Sequence, residues 1–328
     1  MDHFTAFRIH EQRAGIETLA LEDLSPGEVC IRVHWSGINY KDALAGTGKG
    51  RILRRFPLVG GVDLAGSVVA SADPATRVGD QVLVTGGGLS EVRDGGYAEY
   101  ARVPAEAVVQ LPPALTMRTA MIVGTAGFAA ALAITQLEHN GLAPGQGPVA
   151  VTGATGGVGL LAIDMLARRG YEVVAFTRKT DGAELLRRVG ASDVQQLDVA
   201  ALGTKPLEAE RWAGGIDNVG GATLSWLLRG ARMKGGVAAV GLAGGAELNV
   251  SLMPFLLRGV NLLGVNSAAT ARAKRLATWE RIGGDLLPRH FEDIVTRTVD
   301  LAGLPQAFES IIAGNNSGRT LVRIHDER

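Results

Sequence analysis

The sequence predicts an α/β protein in two parts, a compact β-barrel followed by a doubly wound parallel sheet. Three observations predict it. Short strands separated by Gly and Asp turns fill about the first 110 residues. From about residue 117 onward, uninterrupted apolar strands alternate with helices, which indicates a parallel sheet covered on both faces. A glycine-rich turn, Thr152-Gly153-Ala154-Thr155-Gly156-Gly157-Val158-Gly159, follows the first of those strands and opens a helix.

The elements follow in chain order. Residues 29–35 alternate as a half-buried strand does, residues 63–69 and 80–84 read as further strands, and residues 95–103 share the pattern. Residues 117–138 are long, apolar and rich in alanine and predict a helix, ended by Gly141 and Pro144. Strands are expected at 149–152 and 172–176, with helices at 159–169 and 183–189, the latter closed by Gly190. Later apolar strands fall at 216–219, 237–242 and 260–265. A helix near 270–281 and a strand at 320–324 complete the chain, and this tail is expected to return to the first part.

Composition narrows the function. A chain of 328 residues is long enough for two domains. Lys+Arg and Asp+Glu both number 33, so no positive excess is available to meet nucleic-acid phosphates. No apolar run reaches the ~18 residues of a membrane span, and the opening MDHFTAFRIHEQ has no apolar signal core, so a cytoplasmic protein is expected. The single cysteine, Cys30, forms no internal disulfide and no thiolate-rich zinc site; it lies in an apolar alternation and reads as an inert core residue. The 45 glycines are about twice the usual ~7% and suggest tight turns and close backbone approaches.

Ala154, Gly156 and Gly159 fill the three places of G-x-G-x-x-G, with alanine in the first. Glycine lets the backbone approach a pyrophosphate, and the helix N-terminus offers free N–H groups and a positive dipole end. The bland alternative is a tight turn with no ligand. An NAD site usually carries an acid at the end of the second strand. Here Phe176 is followed by Thr177-Arg178-Lys179, two cations and a hydroxyl suited to a 2′-phosphate, so NADPH is expected; a solvated basic turn is the alternative. The same glycines fit the loop of short-chain dehydrogenases, but no tyrosine follows Tyr171, so a downstream Y-x-x-x-K is impossible.

Over essentially its whole length the chain resembles the medium-chain dehydrogenase/reductases, and within them the acryloyl-CoA reductase branch. The residues that carry the resemblance include Asn39-Tyr40-Lys41-Asp42, Thr47-Gly48-Lys49-Gly50, Gly124-Thr125-Ala126-Gly127-Phe128, Gly241-Leu242-Ala243-Gly244-Gly245, Met253-Pro254-Phe255 and Gly318-Arg319-Thr320. The resemblance implies a GroES-like catalytic domain over residues 1–123, completed by 268–328, and a Rossmann NADPH-binding domain over 124–267. It implies cofactor contacts from Tyr40, Thr155, Gly156, Gly157, Val158, Thr177, Arg178, Lys179, Leu242, Leu256 and Ser267. Two positions depart from relatives: Leu197 replaces an arginine near the end of the third strand, and Gly314, beside Asn315 and Asn316, replaces an asparagine before the final Gly-Arg-Thr. No cysteine occupies the Trp35–Asp42 segment, and Gly61-Val62-Asp63 stands where zinc enzymes carry Gly-His-Glu, so no metal is expected.

The implied chemistry is conjugate reduction of a short 2-enoyl-CoA, with acryloyl-CoA favoured and propanoyl-CoA the product. Tyr40 is the leading site residue, as a donor to ribose or nicotinamide amide or as the acid that protonates the product; a Tyr packed at the barrel edge is the bland alternative. Lys49, Arg51, Arg54 and Arg55 form either a mouth for CoA phosphates or a solvated loop. His34 reads as a structural histidine. A quinone or enone reductase of the same fold is the second enzyme reading, and a non-catalytic NADPH-binding sensor is a third. A homodimer is expected through the apolar strand 260–265 at the sheet edge.

Overall fold

The computed structural model describes residues 3–326, so the outermost positions of the expected first domain, 1–2 and 327–328, lie outside the described residues. The chain divides into two compact units. One comprises Met1–Thr125, Ala268–Trp279 and Val295–Arg328; the other comprises Ala126–Ser267 and Glu280–Ile294.

The first unit is built on two sheets. A three-stranded antiparallel sheet runs in the order Ala14–Leu19, Phe4–Ile9, Leu58–Val59. A seven-stranded sheet runs Val295–Val299, Arg319–Arg323, Val29–Ile38, Asp63–Ser71, Gln81–Thr85, Val109–Gln110, with Tyr100–Val103 also paired to Val29–Ile38. The C-terminal strand Arg319–Arg323 is antiparallel to Val29–Ile38, with Thr320 opposite Ile38. Alternating residues Val29, Ile31 and Val33 meet Leu64, Val68, Val82 and Val84 in one core cluster, as period-2 alternation requires. A second cluster is keyed by aromatic rings, with Phe308 5.8 Å from Phe7 and 6.1 Å from Tyr97.

Residues 95–103 form a strand only over Tyr100–Val103. Gly95, Gly96 and Tyr97 instead donate to the backbone carbonyls of Val59, Gly61 and Gly60, at 2.9, 2.8 and 2.9 Å. This is a tight backbone crossing in which a Cβ at position 96 would collide with the Asp63 carbonyl.

The second unit carries six parallel strands in the order Asp193–Gln196, Val173–Thr177, Val149–Thr152, Trp212–Asp217, Ala231–Ala239, Asn261–Gly264. The strand order reverses between Val149–Thr152 and Trp212–Asp217, which is where open α/β sheets hold ligands beyond the strand ends. Phe176, Trp212 and Trp226 pack edge to face at 4.8 to 5.5 Å and fix one face of the sheet. Two strands begin earlier than expected. Gly214-Gly215 and Gly235-Gly236 break the apolar signal, although Gly214 is needed there because a Cβ would press on Leu142 at 2.9 Å.

Segment Glu280–Ile294 departs from the expected first domain and belongs to the second unit. Buried Asp164 accepts from the amides of Arg289 and His290 at 2.9 Å, and Arg281 bonds Glu138 at 2.8 Å and Thr135 at 2.9 Å. The helix Met117–His139 contains a break at Gly124, with φ 48° and ψ −156°, so the expected single helix is two helical stretches. The expectation that nothing here reaches membrane length is also corrected. Met117–His139 is long and apolar enough to cross a bilayer by composition, because scattered Thr, Gln and Gly barely lower its mean hydropathy; 83% of that window is buried within the protein, the pattern of a core helix.

Candidate active site

The glycine turn of the second unit is built as a phosphate-binding loop requires. Val149–Thr152 delivers the chain to Gly153, whose φ of 57° needs glycine, and Gly156 caps the helix Gly157–Arg168. A Cβ at position 159 would lie 2.6 Å from the carbonyls of Gly153 and Ala154, so only glycine lets the helix start this close to the turn. The amides of Gly157, Val158 and Gly159 open the helix, where backbone N–H groups have no intrahelical acceptor. These residues fit a pyrophosphate.

The structure brings several expected cofactor residues around this loop. Thr155 lies against residue 182, just past the Thr177-Arg178-Lys179 turn, since a Cβ on Gly182 would meet the Thr155 methyl at 2.5 Å. Thr177 ends the second strand, and its hydroxyl accepts from the Lys179 amide at 3.0 Å, which curls the basic turn. The Arg178 side chain is exposed and has no polar partner among the described residues. On the other side, Leu242 is 65% exposed, and its backbone runs 3.1 Å from where a Cβ on Gly220 would be. Leu256 stands apart on the short helix Met253–Arg258, 76% exposed, and Ser267 follows the last strand of the sheet.

Two residues of this site went unnoticed in the sequence. Asp217 ends the fourth sheet strand, beside Thr152, and is fully buried; it accepts from the Thr152 hydroxyl and the Gly220 amide, each at 2.6 Å. Burial pushes its carboxyl up, and those hydrogen bonds oppose the shift. Asn218 donates to the Thr152 carbonyl at 2.8 Å, while its own Oδ1 is buried without a hydrogen-bond partner among the described residues. A buried orphan acceptor beside the glycine turn suits a hydroxyl or amide donor from a bound dinucleotide. The only sequence signal was an Asp-Asn pair closing an apolar strand.

Tyr40 belongs to the first unit. It opens the helix Tyr40–Gly46, and 48% of it is exposed. Asn39 and Asp42 form a capping box across that helix start, with the Asp42 carboxylate accepting from the Asn39 amide at 2.8 Å. The other Asp42 oxygen accepts from Val62 at 3.0 Å. Burial, with the neighbouring Asp63 charge, pushes the Asp42 carboxyl up to about 7. Asp63 accepts from Asn39 Nδ2, the Thr125 amide and the Thr125 hydroxyl, at 2.7, 2.9 and 2.5 Å. Buried Arg319 binds the carbonyls of Ile38, Met121 and Ile122 and the Asn39 side chain. The Tyr40 helix is therefore mounted on a saturated polar network, which matches a bracing role for Asn39 and Asp42.

Cys30 and His34 lie elsewhere in this unit. Both are buried, and burial pushes the Cys30 thiol up. Of the basic cluster, Lys49 pairs with Glu309 at 2.9 Å, and Arg55 bonds Ser25 and the Val92 carbonyl.

A parallel nucleotide-type sheet in one unit and an exposed tyrosine on a braced helix in an antiparallel unit define a two-domain nucleotide-dependent oxidoreductase. The family model described as alcohol dehydrogenase GroES-like domain matches residues 25–113, and that described as zinc-binding dehydrogenase matches 157–281. The chain belongs to the medium-chain dehydrogenase/reductase family, in its acryloyl-CoA reductase and YhdH-type branch. It is 46% identical to the putative quinone oxidoreductase YhfP of Bacillus subtilis, over 94% of both chains. A crystal structure of YhfP with NAD bound matches at TM-score 0.94 and 43% identity, covering 99% of this chain and all of that one. The acrylyl-CoA reductase AcuI of Ruegeria pomeroyi is 45% identical over 95% of both chains. Escherichia coli YhdH, crystallised with NADPH, matches at TM-score 0.94 and 42% identity, covering 98% of this chain and all of that one.

Among the described residues no three His, Cys, Asp or Glu side chains gather to hold a metal ion. Both Asp63 oxygens are occupied by donors, and the carboxylate faces Arg319 at 3.8 Å, so this residue is unsuited to ligation.

Proposed function

We propose that this protein reduces the C2=C3 double bond of a short 2-enoyl-CoA, with acryloyl-CoA the favoured substrate and propanoyl-CoA the product, using NADPH. The observation that carries the reading is the 45% identity to the acrylyl-CoA reductase AcuI over 95% of both chains. Bound NADPH supplies the hydride that reaches C3 of the alkene. Everything else falls to this chain's residues. Thr155, Gly156, Gly157 and Val158 hold the pyrophosphate at the helix N-terminus. Thr177, Arg178 and Lys179 grip the 2′-phosphate, with Leu242, Leu256 and Ser267 as further contacts. Leu197, just past the third strand, leaves that grip to the Arg178 turn. Asn218 adds an acceptor for a cofactor hydroxyl or amide.

Negative charge develops on the thioester oxygen as the alkene is reduced, so donors aimed at that oxygen lower the barrier. Tyr40 orients the cofactor through its phenol; the proton delivered to C2 comes from that phenol or from water. The reading takes residues 1–123 with the C-terminal tail as the catalytic domain and 124–267 as the NADPH-binding domain. It describes a cytoplasmic protein acting on a small acyl-CoA or enone, with no membrane or nucleic-acid partner. It also takes the chain as a homodimer, supported by the unpaired edge of Asn261–Gly264 and the exposed Leu256 and Leu257 beside it.

A quinone reductase is the second reading, favoured by the name YhfP carries. Steady-state rates with NADPH and acryloyl-CoA, crotonyl-CoA or a benzoquinone separate the two. Turnover of the thioesters is expected. Turnover of the quinone alone overturns the thioester reading, and binding of NADPH without any turnover favours a non-catalytic sensor.

A further inference from the structure

A cleft on the first unit lies between two charged loops. It is open, encloses about 450 Å3, and is lined by Arg51, Ile52, Leu53, Arg54 and Glu91. Two loops wall it. The Arg54 amide donates to the Glu91 carbonyl at 2.8 Å, and the Arg55 guanidinium donates to the Val92 carbonyl at 2.8 Å, so the loops are zipped together. Leu53 is buried and Ile52 packs against the core, which pegs the first loop and turns Arg51 and Arg54 outward. The second loop contains buried Ser90 at φ 56°, a left-handed conformation that a side chain adopts only under constraint from its surroundings.

Lys49 is paired with Glu309, and Arg55 with Ser25 and Val92. Glu91 is neutralised by Lys41 at 2.8 Å. Of the residues that line the cleft, Arg51 and Arg54 have no side-chain hydrogen bond or ion pair among the described residues, and Arg93 on the second loop has a buried Nε with no partner there either. Two guanidinium groups that line one cleft without a counter-charge give it a positive potential that favours an anion. Guanidinium forks match phosphate oxygens in geometry. The Lys41–Glu91 pair links the cleft wall to the residue next to Tyr40.

We infer that Arg51 and Arg54 form a subsite for the phosphates of the coenzyme A portion of the substrate. The inference rests on the thioester reading above. In coenzyme A the phosphates are separated from the thioester by the pantetheine arm, so a phosphate grip belongs at a distance from the reacting alkene. Its contribution is uniform binding, held equally before and during reaction, which appears in KM and not in kcat.

The test compares the wild type with Arg51→Ala, Arg54→Ala and the double variant. Acryloyl-CoA, acryloyl-dephospho-CoA and acryloyl-pantetheine serve as substrates, and calorimetric binding of free coenzyme A as a second readout. Each substitution is expected to raise KM for acryloyl-CoA on the order of tenfold with kcat nearly unchanged, and to leave acryloyl-pantetheine unaffected. The dephospho substrate tells whether the 3′-phosphate or the pyrophosphate is held. An unchanged KM for acryloyl-CoA in the double variant overturns the subsite. So does an equal loss with acryloyl-pantetheine, which would mean a disturbed loop. If the wild type reduces no thioester, the functional reading fails separately. Calorimetry then decides the subsite: coenzyme A bound by the wild type and released by the double variant upholds it, and no binding by the wild type overturns it.

Discussion

Asn39 Nδ2 donates to Asp63 Oδ2 at 2.7 Å, tying the residue before Tyr40 to a fully buried carboxylate. Arg319 closes the arrangement from the C-terminal strand, 3.8 Å from the same oxygen, and accepts no substitute neighbour: a Cβ on Gly124 would lie 2.6 Å from Asp63 and 2.8 Å from Arg319. The helix break at Gly124 is therefore the room this ion pair occupies. Asp63→Asn keeps the shape but leaves Arg319 buried without its counter-charge. The expected loss is about 3–5 kcal/mol in urea unfolding. A loss below about 1 kcal/mol, the size of a surface pair, would show that the pair is solvated.

Asp42 gives this network a pH dependence. Its carboxyl has a folded value of about 7 against an ordinary 3.8, so the native state holds the proton more tightly than the unfolded chain. Its contribution to stability is full below about 4, and it falls as pH climbs towards 7 and then levels off. Asp42→Asn removes this titration while retaining an acceptor for one of the two amides. Unfolding midpoints measured from pH 4 to 8 should decline more steeply for the wild type than for the variant over that window. Parallel profiles would mean that Asp42 is ionised throughout.

Gly159 offers a test of the proposed role of the loop in cofactor binding. A methyl at this position meets two carbonyl oxygens at 2.6 Å, both on backbone that cannot swing aside. Gly159→Ala should destabilise the protein by about 1–3 kcal/mol and weaken NADPH binding, read by nucleotide fluorescence titration. Unchanged affinity in a folded variant would separate the loop from the cofactor.

How legible these features were depends on the reach of the cause. The glycine loop was readable because its requirement is local: a turn, a close approach and a helix start, all within residues 152–159. The strands 149–152 and 172–176 were readable because an unbroken apolar run has few other uses. Asp217 and Asn218 were not, since they reach Thr152 only through the parallel register that sets Ile216 opposite Val151. The same holds for Asp63 and Arg319, which meet because the C-terminal strand pairs with Val29–Ile38. The break at Gly124 was hidden because an alanine-rich stretch looks helical by periodicity, and a glycine in it carries no mark of its φ. Gly214 and Gly235 misplaced two strand starts for the opposite reason: packing against neighbours demanded glycine where apolar patterning expects a side chain.

The proposed grip of Arg178 on a 2′-phosphate makes a prediction about cofactor choice. The second sheet strand ends in Thr177 with no acid to meet a ribose hydroxyl pair, and the Arg178 guanidinium is exposed without a polar partner among the described residues. One similar structure was crystallised with NAD, and two others with NADP or NADPH. A free guanidinium at this turn gains a charge-assisted bond only when a 2′-phosphate is present. Arg178→Ala should therefore lower kcat/KM with NADPH on the order of ten- to a hundredfold while barely changing the value with NADH. An equal loss with both nucleotides would put Arg178 in the folding of the turn. No loss with either would leave Thr177 and Lys179 as the only 2′-phosphate contacts on this strand end, and the preference for NADPH should then disappear in Lys179→Ala.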